Sequence, residues 1–383
     1  MQDFTYQNPT RVHFGVGQIA KVRDEIPADA RVLVTHGGGS IKRNGVMDQI
    51  EAALEGRQWW SFGGIEPNPS YHTLLEALEV IKREKIDYLL AVGGGSVADG
   101  SKFLALAACH AGDPWEILAE GKHPETALPL GVVLTLPATG SESNGNAVVT
   151  NYETHDKLPM FSELAYPRFA VLDPATTLTL PERQSVNGVV DAFIHVSEQY
   201  LTYPVNAPVQ DRFSEGLLMT LIEEGPKVLS QPDDLAVRAN IMWAANLGLN
   251  GLIGRGVPQD WATHMIGHEI TALHGVDHGR TLTIVMPALW EELFEAKRAK
   301  LAQYGRRVWA LEGDEESVAR AAIDKTRDFF TRLGAPVSLS EAGISADSID
   351  QLVDNLTRHG FTAIGEHGDI TPDVARRILT RAA

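Results

Sequence analysis

The chain has 383 residues, 44% hydrophobic and 22% charged, enough for two domains with separate cores and ordinary for a soluble globular protein. A formal net charge of -17 argues against nucleic acid as a partner, because phosphate binding rests on basic patches. No apolar run approaches the roughly 20 residues needed to span a bilayer, and MQDFTYQNPTRVHFG lacks the basic and apolar regions of a secretory signal, so a cytoplasmic protein is expected. The single cysteine, Cys109 in LALAACHAG, forms no intrachain disulfide and is expected to be a small buried core residue.

In chain order, ARVLVTH reads as a strand, MDQIEAALEG and YHTLLEALEVIKREK as helices, DYLLAV as a strand running into the helical SKFLALAA, and GVVLTL and RFAVLD as further strands. Strands alternating with helices predict βαβ units on a parallel sheet. Past LDPATTLTLPERQ the pattern changes: VVDAFIHVSEQYL, RFSEGLLMTLIEEGPKVL, VRANIMWAANLGLNGLI and AIDKTRDFFTRLG all carry helical spacing. The expectation is an α/β Rossmann-like nucleotide-binding domain over 1-179 and an all-helical metal-binding and substrate domain over 180-383.

Three loops in the first half suit phosphates. DYLLAVGGGSVADGSK runs a strand into Gly93, Gly94, Gly95 and Ser96 at the start of a helix, where close backbone approach and unpaired N–H groups favour an anion. Asp99 is expected either to cap that helix or to touch the ligand. VLVTHGGGSIKRNG repeats the motif at Gly37, Gly38, Gly39 and Ser40, followed by Lys42 and Arg43. It offers no carboxylate for a free ribose 2′-hydroxyl, and its small and basic residues suit a 2′-phosphate. TLPATGSESNGN adds the hydroxyls of Thr135, Thr139 and Ser141, which suit a pyrophosphate or ribose or else cap a helix near Ser141.

HMIGHEITALHGVDH, from 264 to 278, holds four of the 13 histidines. His264 and His268 stand one helical turn apart and can touch one ion. His264 and His278 would be roughly 21 Å apart along an unbroken helix, so they can share a metal only if the chain folds back. Gly275 and Gly279 are expected to supply the break. Upstream, VVDAFIHVSEQY sets Asp191 and His195 at i and i+4 on an apolar helix, where a metal would compensate a buried carboxylate.

FGGIEPNP, LLAVGGGSVADGSKF, LTLPATGSESN, VLDP, NGVVDAFIH, GVPQDWATHMIGHEITALHGVDHG and EHGDIT together resemble the iron-containing alcohol dehydrogenase family over essentially the whole chain, in its branch of NADPH-dependent, butanol-dehydrogenase-like aldehyde reductases. The resemblance implies NADP(H), an aldehyde or alcohol substrate, a homodimer, and one divalent metal bound by Asp191, His195, His264 and His278. It makes His268 an unligated catalytic histidine, places Lys157 near the nicotinamide ribose and gives His274 no role. Imidazole and carboxylate suit Fe(II) and Zn(II) alike. The loop PATGSES is shorter than the common pattern, which leaves its hydroxyls without individual roles, and GGGS in place of an acidic residue shifts the expected cofactor from NAD to NADP. Two competing readings are a zinc hydrolase, for which Ala272 stands where HExxH needs its second histidine, and a non-catalytic nucleotide-binding protein.

Overall fold

The computed structural model describes residues 1–154 and 156–383. They pack as two compact units: Gln7–Pro181 with Asp233–Asn246, and Met1–Tyr6, Glu182–Pro232 and Leu247–Ala383.

The strands of the first unit are β1 (Arg11–Phe14), β2 (Arg31–His36), β3 (Gln58–Phe62), β4 (Tyr88–Gly94), β5 (Leu130–Leu136), β6 (Asn146–Asn151), β7 (Asp156–Phe161) and β8 (Phe169–Leu172). Six form one parallel sheet in the order β1-β8-β5-β4-β2-β3, while β6 and β7 pair antiparallel beside it in sequence. Its helices are α1 (Val22–Glu25), α2 (Val46–Ala53), α3 (Tyr71–Glu84), α4 (Gly95–Ala107) and α5 (Glu116–Ala119). The central strands are apolar on both faces, as a parallel sheet covered on both sides requires. Leu33, Leu89, Ala91 and Val132 enter one core, and Val32, Val34, Leu90, Val92 and Val133 enter the other.

Strand order reverses between β2 and β4, because the chain leaves β2 for the edge strand β3 and returns to the other side of β2. Ligands of open α/β sheets bind outside the carboxyl ends of strands at such a switch point. The two GGGS loops leave the adjacent ends of β2 and β4, and the PATGSES loop leaves neighbouring β5, so the topology gathers all three.

Helix α9 (Leu235–Leu249) begins in the segment that belongs to the sheet unit, where Met242 packs with Leu134, Ala170 and Leu172. The helical unit comprises α6 (Glu182–Tyr200), α7 (Pro208–Glu224), α8 (Lys227–Ser230), α10 (Ala262–His274), α11 (His278–Glu292), α12 (Phe294–Val308), α13 (Glu315–Arg332), α14 (Ile349–Arg358) and α15 (Pro372–Arg381). Helix α11 packs on α6, α10, α13 and α15. Phe193 of α6 packs with its ring centroid 5.3 Å from that of Phe329, tilted, and 5.6 Å from that of Phe330, edge to face, which fixes α6 against α13.

Several local expectations need correction. Cys109 is exposed, because it lies two residues past Ala107, where α4 and its buried face end. Asp99 does not cap α4, which has no side-chain cap, and Ser141 opens only a short 3-10 turn over Ser141–Ser143. Only Gly275, at φ 68°, makes the break between α10 and α11. Gly279 lies inside α11, where a Cβ would stand 2.8 Å from the Asn187 carbonyl oxygen; its smallness lets α11 approach α6.

Candidate metal and nucleotide sites

Helix α6 is buried along nearly its whole length, and Asp191 and His195 share its inner face one turn apart. Helix α10 presents His264, and α11 opens on His278 directly after the turn. Asp191 Oδ1 lies 3.5 Å from His195 Nδ1, 3.7 Å from His264 Nε2 and 3.7 Å from His278 Nε2. Ligands about 2.1 Å from one ion stand roughly 3 to 4 Å apart, so these separations suit a shared cation. Asp191, His195 and His264 offer ligand atoms all within 4.8 Å of one another, while His278 approaches the same carboxylate oxygen with its side chain 23% exposed.

Asp191 Oδ1, His195 Nδ1 and His264 Nε2 have no hydrogen-bond partner although all three are buried. Each such atom costs about 1 to 3 kcal/mol if left unpaired, and a metal would satisfy all three at once. The electrostatics agree. Burial opposes ionisation of Asp191, yet the surrounding His195, His278 and His264 hold its carboxyl well below the usual carboxylate range. Burial pushes His195 down to about 4 against the pull of Asp191, leaving the neutral imidazole that a metal needs. His264 goes the other way: burial lowers it, but Glu198 and Asp191 together raise it to about 9, so without metal a proton occupies the position between two carboxylates. The donor set therefore fits a divalent cation.

His268 is buried in the same cluster, its ring centroid 6.2 Å from that of His264 and 5.1 Å from that of His278. His274 closes α10 on an exposed position, and partial desolvation lowers its pKa. Trp261 occupies the N-cap of α10 in the left-handed region at φ 61°, with its ring centroid 5.5 Å from that of His264 and 6.2 Å from that of His195. Trp290 lies in the core and Trp243 is exposed. Glu269, the acid of the incomplete HExxH, accepts from or shares a proton with His359 Nδ1 at 2.7 Å, so it is committed to α14 rather than to activating a water.

Sequence reasoning missed Glu198. It lies on α6 one turn beyond His195 and accepts hydrogen bonds from the Thr263 and His264 main-chain N–H groups at 2.8 and 3.3 Å, and from His264 Nδ1. The available signal was its spacing: Asp191, His195 and Glu198 follow i, i+4, i+7 on one helix face.

In the sheet unit, small residues decide the geometry. A Cβ on Gly95 would stand 2.5 Å from Thr139 Oγ1, on Gly93 2.5 Å from Val97 Cγ2, and on Gly37 3.2 Å from the Ile65 carbonyl oxygen. Helix α4 starts at Gly95 with neither a side-chain cap nor an acidic residue in its first turn, leaving its N–H groups for an anion. Ser96 Oγ accepts from the Asn68 N–H at 3.3 Å. At the first loop, Gly38, Ser40, Lys42 and Arg43 are exposed, and an added Cβ on Gly38 or Gly39 would meet nothing within 4 Å.

Asp99 serves the third loop instead of the first turn of α4. Its carboxylate accepts from Ser141 Oγ and, at 3.1 Å, from the Val148 N–H. Burial raises its pKa against Lys102, these two hydrogen bonds and Lys157. Lys102, another residue sequence reasoning missed, is fully buried and donates to Ser141 Oγ, Asn144 Oδ1 and the Asn146 carbonyl at 2.9, 2.9 and 2.7 Å. Burial brings its pKa down to about 8 despite Asp99 and Glu142. Thr135 is buried at the end of β5, Thr139 Oγ1 accepts from the Ser141 N–H at 3.2 Å, and Lys157 is buried on β7 opposite Thr150.

Comparison with known proteins agrees with this geometry. The pattern of iron-containing alcohol dehydrogenases matches residues 9–174, and that of the family's C-terminal domain matches 185–366. The chain is 56% identical to the NADPH-dependent aldehyde reductase YqhD of Escherichia coli and 37% identical to the NADH-dependent butanol dehydrogenase A of Clostridium acetobutylicum, covering 100% of each chain in both pairings. Among solved structures, the substrate- and cofactor-free E. coli YqhD superposes with a TM-score of 0.94 at 54% identity, with both chains fully covered. The NADH-dependent butanol dehydrogenase A of Thermotoga maritima superposes at 0.97 and 36% identity, covering 100% of this chain and 99% of that one. The chain belongs to the iron-containing alcohol dehydrogenase family.

Proposed function

We propose that this protein reduces aldehydes to primary alcohols with NADPH, reversibly, using one divalent metal, Fe(II) or Zn(II), held by Asp191, His195, His264 and His278. The observation that carries the proposal is the convergence of these side chains with unpartnered buried atoms on Asp191, His195 and His264. The end-to-end identity of 56% to a protein named an NADPH-dependent aldehyde reductase supports it. When bound, the metal supplies a Lewis acid for a carbonyl oxygen and the nucleotide supplies the hydride. His268, not counted among the ligands, would deliver the proton that the substrate oxygen takes up as the carbonyl carbon is reduced.

The sheet unit would take the nucleotide. Main-chain groups of Gly93, Gly94, Gly95 and Ser96 and the hydroxyls of Thr135 and Thr139 would face its phosphates and ribose, with Lys157 near the nicotinamide ribose. Gly37, Gly38 and Gly39 leave space at the first loop, and Ser40, Lys42 and Arg43 would donate to the 2′-phosphate. Relatives named NADPH-dependent and NADH-dependent both occur in the family, so this loop is the place to test nucleotide choice. No helix among the described residues is long and apolar enough to cross a membrane, and a cytoplasmic homodimer is the assembly we expect.

The test is metal analysis of the purified protein with NADPH oxidation measured across short and medium aldehydes, after anaerobic loading with Fe(II) or Zn(II). One equivalent of metal and aldehyde-dependent oxidation are expected. Metal-free protein with no turnover on any aldehyde would leave a nucleotide-binding protein without this activity.

A further inference from the structure

The first turn of α10 lacks an ordinary cap. Trp261 occupies the N-cap position in the left-handed region and has no side-chain acceptor to offer, so the leading N–H groups of the helix need acceptors from elsewhere. Asp260 Oδ1 takes the Ala262 N–H at 3.0 Å. The next two, from Thr263 and His264, both go to Glu198 Oε1, at 2.8 and 3.3 Å, across from α6. The Asp260 N–H returns to the Glu198 carbonyl at 2.9 Å, fastening the same junction from the other side. With Oε1 so occupied, Oε2 accepts from His264 Nδ1. Glu198 is buried at 4% exposure, where solvent does not compete for these bonds.

We infer that Glu198 is a positioning residue for the metal site, using one carboxylate to cap α10 and to fix the tautomer of His264. A histidine that donates Nδ1–H keeps the lone pair of Nε2 for an ion, and Nε2 is the atom that faces Asp191 Oδ1. A glutamate at this position ties two events together: the helix start is satisfied only when α6 and α10 are in register, and in that register His264 presents the correct nitrogen. The inference rests on the proposed metal assignment.

Glu198→Gln separates the two roles. A glutamine oxygen can still accept both main-chain N–H groups, but its NH2 then faces His264 Nδ1, donor against donor, unless the imidazole moves its proton to Nε2 and blocks the metal position. The expected result is a metal-free variant whose Tm stays within a few degrees of metal-free wild type. Its affinity for Zn(II), measured by chelator competition, should fall by about 10- to 100-fold. Nitrogen NMR of the zinc-loaded proteins should show a loosened or altered His264 tautomer in the variant. Glu198→Ala, which removes cap and partner together, should lower the Tm of the metal-free protein as well. Wild-type zinc affinity and tautomer in Glu198→Gln would overturn the inference. Failure of the wild-type protein itself to take up zinc would instead overturn the metal assignment, so the two failures are distinguishable.

Discussion

The helical unit and the sheet unit build their candidate sites from opposite materials. Around Asp191 the working atoms belong to side chains, brought together from α6, α10 and α11, and those of Asp191, His195 and His264 are buried with no hydrogen-bond partner. Around the GGGS loops they belong to the main chain, and what matters is the side chain that is missing: a single methyl on Gly95 would collide with Thr139. A site of the first kind fails when an atom is removed, and a site of the second kind fails when one is added. The contrast predicts different responses to substitution in the two units.

The largest effect should come from the ligand set. Asp191→Ala, His264→Ala or His278→Ala should lose the metal and reduce turnover to background, because each leaves the remaining ligands poorly compensated, while NADPH binding measured by fluorescence titration stays near wild type. Retention of a full equivalent of metal with full activity in all three would break the comparison on the helical side. His268→Ala should come next, with metal retained and turnover lowered about 10²- to 10⁴-fold, the usual contribution of a positioned acid or base. A metal-free His268→Ala protein would make His268 a ligand.

On the sheet side, adding atoms should redirect binding. An aspartate at Gly38 or Gly39 would enter open space beside Ser40, Lys42 and Arg43. A carboxylate there repels a 2′-phosphate and accepts from a free 2′-hydroxyl, so the ratio of kcat/KM values should swing from NADPH toward NADH by about tenfold or more, roughly 1.4 kcal/mol. Gly39 sits at φ 89°, so Gly39→Asp should also cost stability, and Gly38→Asp, outside that region, isolates the charge effect. An unchanged ratio in both variants would remove the first loop from the 2′-phosphate site.

The smallest expected effect sharpens the comparison within the helical unit, away from the ligands. Lys297 Nζ is buried and donates to Asp260, Glu366 and the Leu201 carbonyl at 2.8, 2.7 and 2.8 Å. Burial raises Glu366 to about 8; Lys297 opposes this, and Asp260 beside it adds to the rise. The folded protein therefore binds a proton here that the unfolded chain releases near 4.5, so this contribution to stability is full below that value and is lost as pH rises through about 8. Hydrogen exchange across residues 361–371, corrected for its intrinsic pH dependence, should show protection falling as pH rises from about 6.5 and levelling off above about 8. Constant protection would mean that the proton is not held at Glu366. Glu366→Gln should remove the dependence.

Much of the site was legible because its chemistry is written in residue types. The i, i+4 pair Asp191 and His195, the histidines of 264–278 and the glycine after His274 predicted a helix, turn and return, and α10, Gly275 and α11 have that form. The first GGGS follows strand β2, and the second is the strand-to-helix junction itself, with Gly93 and Gly94 ending β4 and Gly95 and Ser96 opening α4, as the apolar runs before them required. Less legible was everything whose meaning depends on a distant partner. Gly279 carries the sign of a chain break, but its neighbour in space is Asn187. Asp99 has the spacing of a capping acid and instead holds Ser141 and Val148. The short β1 and β3 and the β6–β7 hairpin carry too few periodic residues to stand out before their partners are known.

Periodicity, glycine placement and the inventory of donors are local properties, and they determined by themselves the main helices and strands and marked the glycine loops and the clustered histidines as candidates, while the division of those histidines into ligands and neighbours came from the family resemblance. The tertiary structure decided which lone pairs were left over. It turned Glu269 to His359, gave Glu198 to His264 and left Asp191 Oδ1, His195 Nδ1 and His264 Nε2 without partners. A buried polar atom takes its meaning from the partner within about 3 Å of it, and side chains separated by tens of residues come that close only when helices pack.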